Sequence, residues 1–200
     1  MSVTVAARVG GGKGLRRLRA SRSDLARLAV VLGFLASAVA AVRLAGLRVQ
    51  QTGSLPRGLY RDVRGAGPTR GTLGVWCLPL DVARWARERG YVGRGNCPGG
   101  VEAIGKAVLA VAGDTVRVTA DGLLVNGVLA PHTRSLRRDS RGRPMRSMPH
   151  GTYYVGDKEV WLWSPLTGRS FDSRYFGAVP TSALIAVVRP VWTFATRSDR

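Results

Sequence analysis

Two short segments, Thr52-Gly-Ser-Leu-Pro56 and Ile104-Gly-Lys-Ala-Val-Leu-Ala-Val-Ala-Gly-Asp114, offer one serine and one lysine, Ser54 and Lys106, for nucleophilic chemistry without histidine. Of the 31 basic residues only Lys13, Lys106 and Lys158 are lysines; the rest are arginines. Arginine supplies charge but keeps its proton in a protein, whereas a lysine desolvated among apolar neighbours can lose it and act as a base. Lys106 lies between Ile104 and the apolar run Val108–Val111, with Glu102 as the nearest acid in the chain. The competing assignment, from these neighbours alone, is a lysine at a strand edge with its ammonium in water. A serine hydroxyl is a weak nucleophile and needs a base within hydrogen-bond reach. No Gly-x-Ser-x-Gly elbow is present, and the helices that an α/β-hydrolase alternates with its strands are missing. A Ser–His–Asp triad would have to draw on His132 or His150, both of which stand beside prolines in a polar stretch.

The elements that would hold these residues are short. After Gln50, apolar runs alternate with Gly, Pro and Asp turns. Strands are expected over Leu73–Leu78, Val101–Ala112, Thr115–Thr119, Leu123–Val125, Thr152–Val155, Val160–Trp163 and Leu184–Val188. Asp121-Gly122 and Asn126-Gly127 carry the tight-turn chemistry of hairpins. Asp81–Arg89 reads as a helix and Gly90–Gly95 as a Gly-rich turn. Pro131–Pro149, rich in Arg and Ser, reads as an exposed excursion. The series implies a mostly β domain.

Ahead of it, residues 1–24 are polar, Gly-rich and basic. Leu28–Val42 then runs without a charge, and the wider span 25–47 has about the ~20 residues a bilayer requires. A retained transmembrane anchor, a signal peptide cleaved after Ala38-Val-Ala40 and a buried soluble helix compete for this segment. Charge favours a cytoplasmic N-terminus, although Arg43, Arg48, Arg57 and Arg61 on the far side weaken the bias. The formal net charge of +19 suits nucleic acid or an anionic membrane surface. No zinc-finger spacing, RNA-binding signature or continuous basic helix accompanies it, which argues against nucleic acid. Two cysteines, Cys77 and Cys97, cannot make a Cys-only metal site, and neither histidine has ligand spacing near them. In an oxidising compartment a disulfide is the natural reading, adding about 3 kcal/mol by closing a loop; two unrelated buried thiols are the alternative.

Whole segments resemble the signal peptidase I superfamily, in particular the TraF-type peptidases of plasmid conjugation. Ser54-Leu-Pro-Arg-Gly-Leu-Tyr60 is similar to the nucleophile box of that family. Lys106 followed by Val111-Ala-Gly-Asp-Thr-Val116 resembles its general-base lysine and the turn after it. Asn126-Gly127, Gly151-Thr-Tyr-Tyr-Val-Gly-Asp157 and Ser170-Phe-Asp-Ser-Arg-Tyr-Phe-Gly177 resemble later boxes in the right order. Arg89-Gly-Tyr91 and Cys97-Pro-Gly-Gly100 resemble TraF more than general signal peptidases. The resemblance implies that Thr52 supplements the Ser54 backbone N–H in an oxyanion hole. It implies also that Ser170 orients the lysine amine and that Asp172 and Arg174 form a structural ion pair beside the site. Two positions depart from the pattern: Ala107 stands where many signal peptidases have arginine, and Gly156-Asp-Lys158 replaces the usual Gly-Asp-Asn. Arg174 is then the first candidate partner for Asp172.

The expectation is a signal-peptidase-like β domain over 48–200, periplasmic, behind an anchor over 25–47 and a cytoplasmic tail over 1–24. Its expected activity is that of a Ser–Lys endopeptidase, needing no metal or cofactor, that processes and in this family can cyclise a pilin precursor for conjugative type IV secretion. A signal peptidase of broader specificity and a non-catalytic envelope component of the transfer apparatus are the alternatives. The substrate is expected as an extended strand with small side chains just before the cut.

Overall fold

The computed structural model describes residues 22–194, so most of the tail expected over 1–24 lies outside the described residues. Helix α1 spans Arg22–Leu44. Its window Leu25–Val42 has a mean hydropathy of 2.2 and none of it is buried, so it is long and apolar enough to cross a bilayer. A signal sequence would share that length and composition. The segment expected over 25–47 ends as helix at Leu44. Gly46 then takes φ of 67°, which a side chain disfavours, and Leu47 opens a strand. By its internal contacts the chain divides after Val42 into two units.

The second unit is mostly β. In chain order it runs β1 (Leu47–Gln50), β2 (Gly58–Val63), β3 (Leu73–Trp76), helix α2 (Leu80–Glu88), β4 (Arg94–Cys97) and β5 (Ile104–Ala110). There follow β6 (Thr115–Val118), β7 (Leu123–Val125), β8 (Val128–Leu129), β9 (Gly151–Tyr154), β10 (Glu159–Trp163), α3 (Ser173–Phe176), β11 (Val179–Pro180) and β12 (Leu184–Thr193). A seven-stranded sheet has the order β1-β2-β12-β3-β5-β10-β11, and a four-stranded sheet the order β8-β7-β6-β9. All the pairings are antiparallel. Leu109, Ala110 and Trp161 of the large sheet pack with Val116, Val118, Leu123 and Val125 of the small one in a shared core. Asn126 and Gly127, at φ of 49° and 85°, make the two-residue turn between β7 and β8.

Three departures from the sequence reading bear on the site. Strands β1 and β2 flank the serine segment, where no strand was expected. Strand β12 continues to Thr193, past the Val188 limit, with a register shift between Pro190 and Trp192 that accommodates the missing proline N–H. The excursion Pro131–Pro149 is largely exposed, as expected, but side-chain hydrogen bonds also tie it to the rest of the domain. Asp139 accepts from the Tyr91 hydroxyl at 2.7 Å, Arg89 Nη1 donates to the Pro144 carbonyl at 2.6 Å, and the Leu136 N–H donates to the Tyr175 hydroxyl at 3.1 Å. Within it Arg138 Nη1 donates to the Gly142 carbonyl at 2.6 Å and Arg143 Nη2 to the Arg89 carbonyl at 2.7 Å, so planar donors tie backbone carbonyls together.

Candidate active site

Ser54 lies in the connection from β1 to β2. The turn is fixed at several points. Leu55 is buried, the Ser164 hydroxyl donates to the Ser54 carbonyl at 2.8 Å, and the Tyr60 hydroxyl donates to the Pro56 carbonyl at 2.8 Å. Lys106 stands on β5, between β3 and β10 in the middle of the large sheet. Strand alternation puts it on one face with Ile104 and Val108, among apolar side chains rather than at a wet edge. It is 3% exposed. Its Nζ lies 2.6 Å from Ser54 Oγ and 2.5 Å from Ser170 Oγ, and the two hydroxyl oxygens are 3.3 Å apart. Burial draws the ammonium down to about 8; nearby Asp172 opposes this shift and Arg174 adds to it. A side chain of that kind can exchange a proton near neutral pH, and the Ser54 and Ser170 hydroxyls both lie within hydrogen-bond reach of it.

The segment after β10 supplies the surroundings. Ser170 reaches the lysine amine with its hydroxyl beside that of Ser54. Asp172 and Arg174 are 1% and 0% exposed. Their two-pronged pair runs from Nε to Oδ1 at 2.8 Å and from Nη2 to Oδ2 at 2.9 Å. The remaining guanidinium donors reach the carbonyls of Arg134 at 2.7 Å, Gly168 at 2.9 Å and Ser170 at 2.8 Å. All five N–H groups of Arg174 are thereby used, and the Ser170 backbone is held by the same cation. Thr52 sits on the serine turn, exposed, and its hydroxyl accepts from Gln50 Nε2 at 2.5 Å. That bond occupies a lone pair and leaves the Thr52 O–H free to donate.

Gln50 and Ser164 carry no signal in the sequence. One is a glutamine at a strand end, the other a serine before a proline, and only their contacts mark them. Cys77 and Cys97 are joined, with Cα atoms 5.5 Å apart, closing a loop that contains α2 and Tyr91. No group of three or more His, Cys, Asp or Glu side chains able to hold a metal occurs among the described residues. His132 lines a hollow of about 1310 Å³ beside Ser54; a second hollow of about 470 Å³ reaches Lys106 past Ile104, Tyr91 and Phe171. His150 lines neither of them.

The chain is similar in sequence to known proteins along most of its length. The family described as "Signal peptidase, peptidase S26" matches residues 28–193. The chain is 42% identical over 155 residues to the plasmid transfer protein TraF of Escherichia coli, covering 77% of this chain and 87% of that one. It is 37% identical over 181 residues to a probable conjugal transfer protein TraF of Sinorhizobium fredii, covering 90% and 94%. The conjugal transfer protein TraF of Agrobacterium tumefaciens is 36% identical, over 80% of this chain and 90% of its own. A signal peptidase I structure from Enterococcus faecalis aligns with 61% of this chain and 97% of its own, at 20% identity and a TM-score of 0.35. With the family matched over nearly the whole described chain and relatives this similar along most of their length, the chain belongs to the S26 signal peptidase family.

Proposed function

We propose that this protein is a membrane-anchored serine endopeptidase that matures a pilin precursor for conjugal transfer. The contact that carries this reading is Lys106 Nζ at 2.6 Å from Ser54 Oγ, inside the fold. Ser54 attacks the scissile carbonyl while neutral Lys106 takes its proton and later delivers it to the leaving amine. The Ser54 N–H and the Thr52 hydroxyl stabilise the oxyanion. Ser170 holds the amine on the Ser54 side, and the Asp172–Arg174 pair holds Ser170. Water or the amino terminus of the substrate then resolves the acyl-enzyme, giving a linear or a cyclic product. Strand β1 has a free edge beside Ser54, and the first residues of β5 are unpaired on the β10 side, which suits a substrate added as a strand. Helix α1 anchors the chain, and 48–200 works outside the cytoplasmic membrane. The plasmid and conjugal transfer roles that name the relatives support the conjugal setting.

The test is purified pilin precursor incubated with the protein in detergent and followed by mass spectrometry. A shortened product is expected, and a cyclic one is lighter by one further water. An unaltered precursor would overturn the reading. Bulky substitutions immediately before the cut are expected to block cleavage.

The lysine sets the pH dependence. Only the neutral amine accepts a proton, so kcat/KM climbs with pH and levels off above about 8. On the acid side it falls by about tenfold per pH unit. A flat profile between pH 6 and 9 would remove Lys106 as the base. The same shift affects stability. The folded-state value lies below the ordinary 10.5, so the unfolded chain holds the proton more tightly and stability rises with pH between about 8 and 10.5. Lys106→Met is therefore expected to melt above the parent at neutral pH, with the gap closing as pH approaches the upper end of that window.

The disulfide offers a check on placement. Unreduced peptides from protein in its native envelope are expected to contain Cys77 linked to Cys97, since such bonds persist in oxidising compartments. Two free thiols there would contradict an external domain.

A further inference from the structure

The larger hollow beside Ser54 is one-sided in charge. Arg57, Arg169 and His132 line it, and no acidic residue among the described ones does. Four other arginines are paired with carboxylates, as Arg48 with Asp62, Arg70 with Asp114, Arg143 with Asp139 and Arg174 with Asp172. The guanidinium groups of Arg57 and Arg169 have no such partner among the described residues, and both are exposed to the hollow. The smaller hollow, which Arg169 also lines, differs because Glu102 and Asp139 stand in its wall with Arg138. The larger one also has an apolar part. Trp192 and Phe194, 59% and 56% exposed, pack edge-to-face with ring centroids 4.3 Å apart on its wall. His132 enters it from a backbone at φ of 60°, a conformation that a side-chain-bearing residue adopts at some cost.

We propose that this hollow selects substrates bearing a carboxylate on one side of the scissile bond. Arg57 and Arg169 take the carboxylate, and a neighbouring apolar side chain of the substrate rests on Trp192 and Phe194. The carboxylate belongs to an acidic side chain or to the substrate's own C-terminus. This inference rests on the peptidase reading and specifies which peptides that site prefers. The net charge of +19 would speed the approach of any acidic peptide wherever its charge lay. A built subsite differs because its preference depends on position.

The test uses the full chain in a detergent of neutral headgroup and a family of peptides around one small-residue cleavage sequence. Each member carries Glu or Gln at a single position on either side of the cut, and one pair ends in a free acid or an amide. Glu is expected to exceed Gln by about fivefold in kcat/KM at one or two adjacent positions on one side only, through KM, with the preference lost in high salt. A response confined to the acid–amide pair would identify the carboxylate as the chain terminus. Arg57→Ala and Arg169→Ala should each shrink the ratio, lysine at either position should restore most of it, and Arg169→Glu should reverse it toward Lys-bearing peptides. Ratios within about twofold at every position, or the same ratio at all of them, would overturn the proposal. Binding of the same peptides to Ser54→Ala separates the two claims. A Glu preference in binding without any cleavage by the parent would sink the peptidase and keep the selection. Cleavage without a preference would do the reverse, and the absence of both binding and cleavage would overturn both.

Discussion

Ser54→Ala and Lys106→Ala are each expected to lower the rate of precursor cleavage by about 10⁴–10⁶-fold while leaving the protein folded. The two side chains meet at 2.6 Å and act as one unit, so the double variant should be no slower than either single one. Lys106→Arg should be equally inactive: it keeps a cation in place but cannot give up the proton. Single-turnover cleavage measured by mass spectrometry gives the rates, and far-UV circular dichroism with a melting curve establishes folding. Near-normal cleavage by Lys106→Ala would end the Ser–Lys assignment and return attention to His132, the histidine in the cleft.

The second large effect is on stability. Asp172→Ala leaves a fully buried guanidinium with Nε and one Nη2 donor unpaired. Removing one partner of a buried ion pair costs about 3–5 kcal/mol, because the other charge is stranded without water. In a domain of this size that corresponds to roughly 10 °C in melting temperature. Ser54→Ala, which strands no charge, should melt close to the parent. Asp172→Asn keeps the shape and removes a charge that holds the Lys106 proton in place, so its pH–rate profile should move toward lower pH. A purely structural role for Asp172 would lower the melting temperature and leave that profile where it was. An Asp172→Ala variant as stable as the parent would show that the pair is dispensable.

Much of this arrangement is local in origin and so can be read along the chain. The strand around Lys106 follows from the apolar residues that flank it, the hairpin at Asn126-Gly127 from residues that tolerate positive φ, and α1 from the long uncharged run Leu28–Val42. Ser54 and Lys106 stand out because the residue types are chemically distinct and occur in boxes of recognisable order. Other features depend on what is brought together across the fold. Lys106 could have been a wet strand-edge lysine. It becomes a candidate base because β5 is an interior strand and the segments carrying Ser54 and Ser170 close over it, removing the water that would hold its proton. Arg174 differs from the other arginines only in where it lies. Burial forces all five of its donors to find acceptors, and it draws Arg134, Gly168 and Ser170 together around Asp172. Gln50 and Ser164 are ordinary polar residues until a backbone or hydroxyl from a distant segment comes within hydrogen-bond distance. Periodicity and turn chemistry act between neighbours in sequence, whereas desolvation and hydrogen-bond satisfaction depend on residues as far apart as the 116 positions between Ser54 and Ser170. That is why many of the strands and the reactive residue types were legible in the chain, while β1 and β2 around Ser54, the proton affinity of Lys106 and the supports around it emerged only from packing.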